Sequence, residues 1–131
     1  MTTHPVDNSW MLELIRTVRG VRHVVVLTSD GLLKVRTDHT PPDMADKLAA
    51  ACAGLAALGQ GISREFGSGM SPRQVMVEFE GGFLFVRGAG DGSRLAVVTD
   101  QVIDPALVAQ QMQAQVLAIG ERTLSTPTRG G

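Results

Sequence analysis

Between Lys47 and Arg64 the chain runs for 16 residues, Leu48 to Ser63, without one charged side chain. A helix with a single buried face spends its other face on charges, so an uncharged helix wants cover on more than one side. Met44, Leu48, Ala51, Leu55, Leu58, Ile62 and Phe66 recur at steps of three or four, which collects the large side chains into one stripe. The other side carries Ala49, Ala50, Ala53, Ala57 and Gln60, with Asp46 and Arg64 at its ends. The large stripe is expected to lie on a sheet, and the small-residue side to admit a second helix backbone. The alternative is a central helix buried within one chain. Because the uncharged stretch holds three glycines and falls short of the roughly 20 apolar residues of a bilayer span, no direct membrane insertion is expected.

The bulk numbers narrow the function classes. A chain of 131 residues is one domain with a real core. Twelve basic residues against 13 acidic ones give a net charge of −1, so no overall field draws it to nucleic acid or an anionic membrane. Aromatic residues make up 4% of the chain, which removes the stacking platforms of single-strand binders, and no nucleic-acid partner is expected. Cys52 is the sole cysteine, so no intrachain disulfide forms and a reducing, cytoplasmic setting fits. The start, Met1 to Asn8, has neither the basic residues nor the apolar run of a secretion signal.

The order of elements follows from local chemistry. A first helix is expected from Asp7 or Ser9 to Gly20, with Met11, Leu14, Ile15 and Val18 on its apolar face. Val21–Thr28 and Leu32–Arg36 read as strands joined through Ser29-Asp30-Gly31. Pro41-Pro42-Asp43 leads into the long helix, which should fade at Gly67. Val75, Val77 and Phe79 alternate as a half-buried strand, and turns at Gly81-Gly82 and Gly90-Asp91-Gly92 continue it into a three-strand meander. Asp104-Pro105 opens the last helix, with Val108, Ala109, Met112, Val116 and Ile119 inside and Gln110, Gln111, Gln113 and Gln115 outside. The result is an α+β domain, α-β-β-α-β-β-β-α, on five antiparallel strands.

Catalytic chemistry is hard to find. Gly54 to Gly61 has P-loop glycine spacing but no lysine or hydroxyl in the required place, and Gly88 to Gly92 reads as a hairpin turn rather than a dinucleotide fingerprint. His4, His23 and His39 lack paired metal-ligand spacing, so no metal is expected. Cys52 in an alanine-rich helix has neither the exposure nor the positive surroundings of a nucleophile. Glu78 and Glu80 share one side of their strand and read as a solvated or partner-facing row.

Five pieces, taken in order, carry a resemblance. They are Val18-Arg19-Gly20-Val21-Arg22-His23, Ser29-Asp30-Gly31-Leu32, Ala53-Gly54-Leu55-Ala56-Ala57-Leu58, Glu80-Gly81-Gly82-Phe83-Leu84-Phe85-Val86 and Gly90-Asp91-Gly92-Ser93-Arg94-Leu95-Ala96-Val97. In that order and spacing the chain resembles the Roadblock/dynein light-chain family, in particular the short actinobacterial proteins associated with Ras-like GTPases. The resemblance covers most of residues 9–124, taken as a Roadblock-like domain between a flexible N-terminus (1–8) and a disordered tail (125–131). It implies a five-stranded antiparallel sheet with the long helix on one face and the terminal helices on the other. It also implies dimerisation through the long helix and the strand after it, and a place beside a small GTPase and a sensor-kinase-like protein. One bacterial polarity regulator of this type accelerates GTP hydrolysis as a dimer.

The expected function is therefore a non-catalytic homodimeric regulator or scaffold for a Ras-like small GTPase in a signalling complex, without cofactor or catalytic residue set. The location is cytoplasmic, or peripheral to the membrane through partners. The dimer interface is assigned to Asp46, Ala49, Ala50, Ala53, Ala57 and Gln60 on the helix and to Val75, Val77 and Glu78 on or beside the pairing strand. Arg64, Arg73 and Arg87 are candidate partner contacts. The alternative is a small-molecule sensor domain holding a ligand between helix and sheet.

Overall fold

The structure is a computed structural model, and it describes residues 8–70 and 73–124. The strands are β1 (Val21–Leu27), β2 (Leu33–Arg36), β3 (Val75–Phe79), β4 (Gly82–Gly88) and β5 (Arg94–Asp100); the helices are α1 (Pro42–Phe66) and α2 (Pro105–Leu124). All five strands join one sheet in the order β2-β1-β5-β4-β3, each pairing antiparallel to its neighbour. The α+β class and the five antiparallel strands are as expected. The expected flexible N-terminus and disordered tail lie outside the described residues, apart from Asn8, whose carbonyl accepts the Met11 N–H at 3.0 Å.

β1 shows why the sheet sits between two layers. Its residues Val24, Val25, Val26 and Leu27 are all fully buried, which a strand achieves only with both faces covered. Alternate side chains leave on opposite faces. Val24 and Val26 join Phe85, Leu95 and Val97 beneath α2, while Val25 and Leu27 join Val86 and Ala96 beneath α1. Register agrees, with Val24 opposite Val97 and Val25 opposite Ala96.

α1 reverses one expectation. Its buried residues are Ala45, Ala49, Cys52 and Ala56, so a stripe of small side chains lies on the sheet, with Leu48 half-buried at its border. The branched Val25, Leu27 and Val86 fill the layer from the sheet side, and a small-residue helix stripe lets the α1 backbone close onto them. The large stripe is turned outward: Met44, Leu58, Ile62 and Phe66 are exposed by 44%, 68%, 61% and 83%.

The expected first helix is also replaced. Ser9–Leu12 forms a single 3₁₀ turn, followed by irregular turns up to Gly20, which takes the left-handed conformation at φ 90°. A continuous α-helix would send the Leu14 and Ile15 N–H groups to carbonyls four residues earlier. Here both go to Oε1 of Gln115, at 2.7 and 3.3 Å, while Gln115 Nε2 donates to the Trp10 carbonyl. Gln115 is thus fully buried, not on the outer face with Gln110 and Gln113, and Leu14 is 42% exposed rather than inside.

The α2 start is as the sequence predicts. Asp104 Oδ1 accepts the N–H groups of Ala106 and Leu107 at 3.0 and 3.3 Å, an N-cap followed by proline at the first helical position. At the β3–β4 turn, Gly82 lies so close to β5 that a Cβ there would stand 2.0 Å from the Thr99 carbonyl oxygen, so only glycine fits.

Candidate functional site

The surface with the clearest need of a partner is built from α1 and β3. Among the described residues β3 is an outer strand of the sheet and pairs only with β4. Its far edge presents unpaired backbone N–H and C=O groups, a template for another strand. Val77 opposes Leu84 and Val75 opposes Val86, which places Val75, Val77 and Phe79 on the α1 side of the sheet. Val77 and Phe79 stay 36% and 42% exposed there, so the strand expected to be half-buried is mostly open within one chain.

One contact and the helical spacing set the flanks of α1. On one side Ala53 meets the β1–β2 hairpin, where a Cβ on Gly31 would stand 3.0 Å from the Ala53 Cβ. Helical spacing puts Leu48 on the opposite flank, toward β4 and β3, where Leu48, Val75 and Leu84 each border the buried cluster beneath the helix. The large stripe lies on this second flank, so Leu58 and Ile62 share a side of the molecule with the open edge of β3.

The sequence-assigned interface divides accordingly. Ala49 is fully buried against the sheet and Ala53 is half-buried beside the hairpin, so neither is presented as assigned. Gln60 is half-buried and donates from Nε2 to the Gly69 carbonyl at 2.7 Å, tying the segment after α1 back onto the helix. Asp46, Ala50 and Ala57 are exposed, but helical spacing puts them on the hairpin side, away from β3. Val75 is half-buried beneath α1, whereas Val77 and Glu78 are exposed on the edge strand. Leu58, Ile62 and Phe66, expected on the sheet, are exposed instead.

The three nominated arginines also separate. Arg64 is exposed near the end of α1. Arg73 and Arg87 line one open cleft of about 810 Å³ at the strand ends, together with Arg94, which the sequence reading did not single out. Arg87 Nε donates to Gln74 Oε1 at 2.8 Å and Nη1 donates to Gln113 Oε1 at 2.6 Å. Burial, and then the neighbouring Arg73 charge, hold the Arg87 guanidinium below its ordinary range.

Nucleophilic chemistry finds little support. Burial pushes the Cys52 thiol up to about 12, so it stays protonated and inert. His23 and His39 do come together, with ring centroids 5.3 Å apart, yet no group of three or more metal-binding side chains forms among the described residues. His23 Nδ1 instead pairs with Thr40 Oγ1 at 2.8 Å. Among the described residues no helix is long and apolar enough to cross a membrane.

A five-stranded antiparallel sheet between a long helix and a terminal helix, with the edge strand β3 on the side of an exposed apolar helix flank, defines a small α+β domain. The Roadblock/LC7 domain model matches residues 8–99, and the chain belongs to that family. A Roadblock/LC7 domain from Streptomyces avermitilis is similar at 34% identity and TM-score 0.83, over 92% of this chain and all of that one. A second structure of a Roadblock/LC7 domain from the same organism is 33% identical, with TM-score 0.67 over 86% of this chain and 97% of that one. MglB from Myxococcus xanthus, 17% identical over 88% of this chain and 90% of that one, shares the fold at TM-score 0.75. No curated protein matches the sequence.

Proposed function

We propose that this chain is a non-catalytic, homodimeric regulator or scaffold that docks a Ras-like small GTPase, beside a sensor-kinase-like partner. The observation that carries the dimer is the shared side of the exposed Leu58–Ile62 flank and the open β3 edge. Burying side chains of this size contributes about 1.5–3 kcal/mol each before association costs. In an antiparallel pair, directly opposed residues share a face. A symmetric second copy that keeps both α1 helices on one side must therefore join β3 residues of like parity. A register centred on Val77 meets this, setting Val75 against Phe79 of the second copy and extending the sheet across both chains.

GTPase docking rests on kinship with the Roadblock/LC7 family. It is tested by a pull-down with light scattering, using the purified chain and Ras-like GTPases loaded with GDP or a GTP analogue. Binding that prefers one nucleotide state supports the reading, and failure to bind any of them in either state removes it.

A further inference from the structure

We propose that the cleft at the strand ends is an anion site for a small molecule carrying two or more phosphate groups. Three separate places in the fold each deliver an arginine to this one space: Arg73 before β3, Arg87 on β4 and Arg94 at the start of β5. Gln110 and Gln113 of α2 add amides, and the volume, about 810 Å³, is that of a small-molecule site.

The positive charge is not cancelled locally. Among the described residues the ion pairs within 4.0 Å are Arg22 with Asp100 and Lys34 with Asp91, so none of the three arginines has a carboxylate partner. Asp91, on the nearby β4–β5 turn, is already engaged. Burial alone would raise its pKa, but hydrogen bonds from the Ser93 N–H and side chain, the Lys34 charge and a Thr123 hydrogen bond together hold it below the usual carboxylate range. Gln74 and Gln113 fix the Arg87 guanidinium through Nε and Nη1 and leave its Nη2 group, with two N–H donors, uncommitted. Like charges gathered without a counter-charge are unfavourable, and a ligand bearing several negative charges relieves that cost.

Phosphate fits better than a lone carboxylate for two reasons. Guanidinium forks match phosphate oxygens two at a time, and three guanidiniums exceed the charge of one carboxylate. Among the described residues no aromatic side chain lines the cleft, so none of them stacks on a base there. Affinity should then follow the number of phosphates and ignore the base. The cleft is formed within one chain, but its lining reaches Val75 at the start of β3, so the oligomeric state of every variant is followed beside its phosphate affinity.

The test is calorimetric titration of the full chain at low salt with inorganic pyrophosphate, ATP and GTP. All three should bind, ATP and GTP alike, and added salt should weaken each. The double variant Arg73→Gln/Arg94→Gln and the single variant Arg87→Lys, which keeps the charge but loses the fork, should each bind about tenfold or more weakly, as loss of a charge-assisted hydrogen bond implies. Circular dichroism and oligomeric state should stay unchanged, and Arg64→Gln should bind as the native chain does. No heat from pyrophosphate at millimolar concentration would overturn the proposal. So would unaltered affinity in the folded Arg87→Lys chain, strong preference for one base, or binding confined to an acidic peptide.

Discussion

The side chain of Gln115, on α2, accepts the backbone N–H of Leu14 at 2.7 Å across 101 residues of sequence. One amide thereby does for the Ser9–Gly20 segment what a helical carbonyl would otherwise do, and binds that segment to α2 above the sheet. Replacing it with an apolar side chain leaves the Leu14 and Ile15 N–H groups without their acceptor. Gln115→Leu should destabilise the fold by about 1–3 kcal/mol, the cost of an orphaned buried donor. Urea unfolding monitored by Trp10 fluorescence measures it.

The orientation of α1 gives a second prediction. Ala49 is fully buried against the sheet and Ala50, one residue on, is exposed. Ala49→Leu should overpack that layer and cost about 1–3 kcal/mol. Ala50→Leu should change stability by less than about 0.5 kcal/mol. Thermal melts of the two variants compare them directly, and equal stability would mean that the helix faces are assigned wrongly.

These two residues also show what the sequence makes legible. Strand limits, hairpins, the ends of α1 and the Asp104-Pro105 start of α2 are set by contacts a few residues apart, and all can be read from local pattern. Which stripe of α1 meets the sheet cannot be read that way, because both are uncharged from Leu48 to Ser63 and the choice depends on the volume that Val25, Leu27 and Val86 already fill. Gln115 is similar: a glutamine on a helix looks solvated until its backbone partner, far away in sequence, is brought alongside. The exposure of Leu58 and Ile62 was not legible either, since large apolar residues are ordinarily core.

Protonation of His23 should couple stability to pH. Burial, then the charges of His39 and Arg22, lower its pKa from the ordinary 6.5. The unfolded chain then binds the proton at a higher pH than the folded one, so stability rises with pH across this window. The contribution is fully present above about pH 6.5 and lost as pH falls through the lower folded value. Urea midpoints between pH 7.5 and pH 5 should fall for the native chain and fall less for His23→Gln.

Gly82 offers a test of the β3–β4 turn that is independent of the interface. With the Thr99 carbonyl oxygen 2.0 Å from any added Cβ, Gly82→Ala forces β4 and β5 apart. A loss of about 3 kcal/mol is expected, at the upper end for overpacking. Gly54→Ala, at a helix position with open space around the new methyl, should instead be neutral or stabilising by up to about 1 kcal/mol.

The mass of the chain in solution is the most direct readout of the proposed dimer. Light scattering across a range of protein concentrations should give twice the single-chain mass for the native protein. It should give the single-chain mass for Leu58→Asp/Ile62→Asp, whose new charges fall on exposed positions and leave the fold, checked by circular dichroism, intact. A native chain that remains a monomer at every concentration, or a folded double variant that remains a dimer, would contradict it.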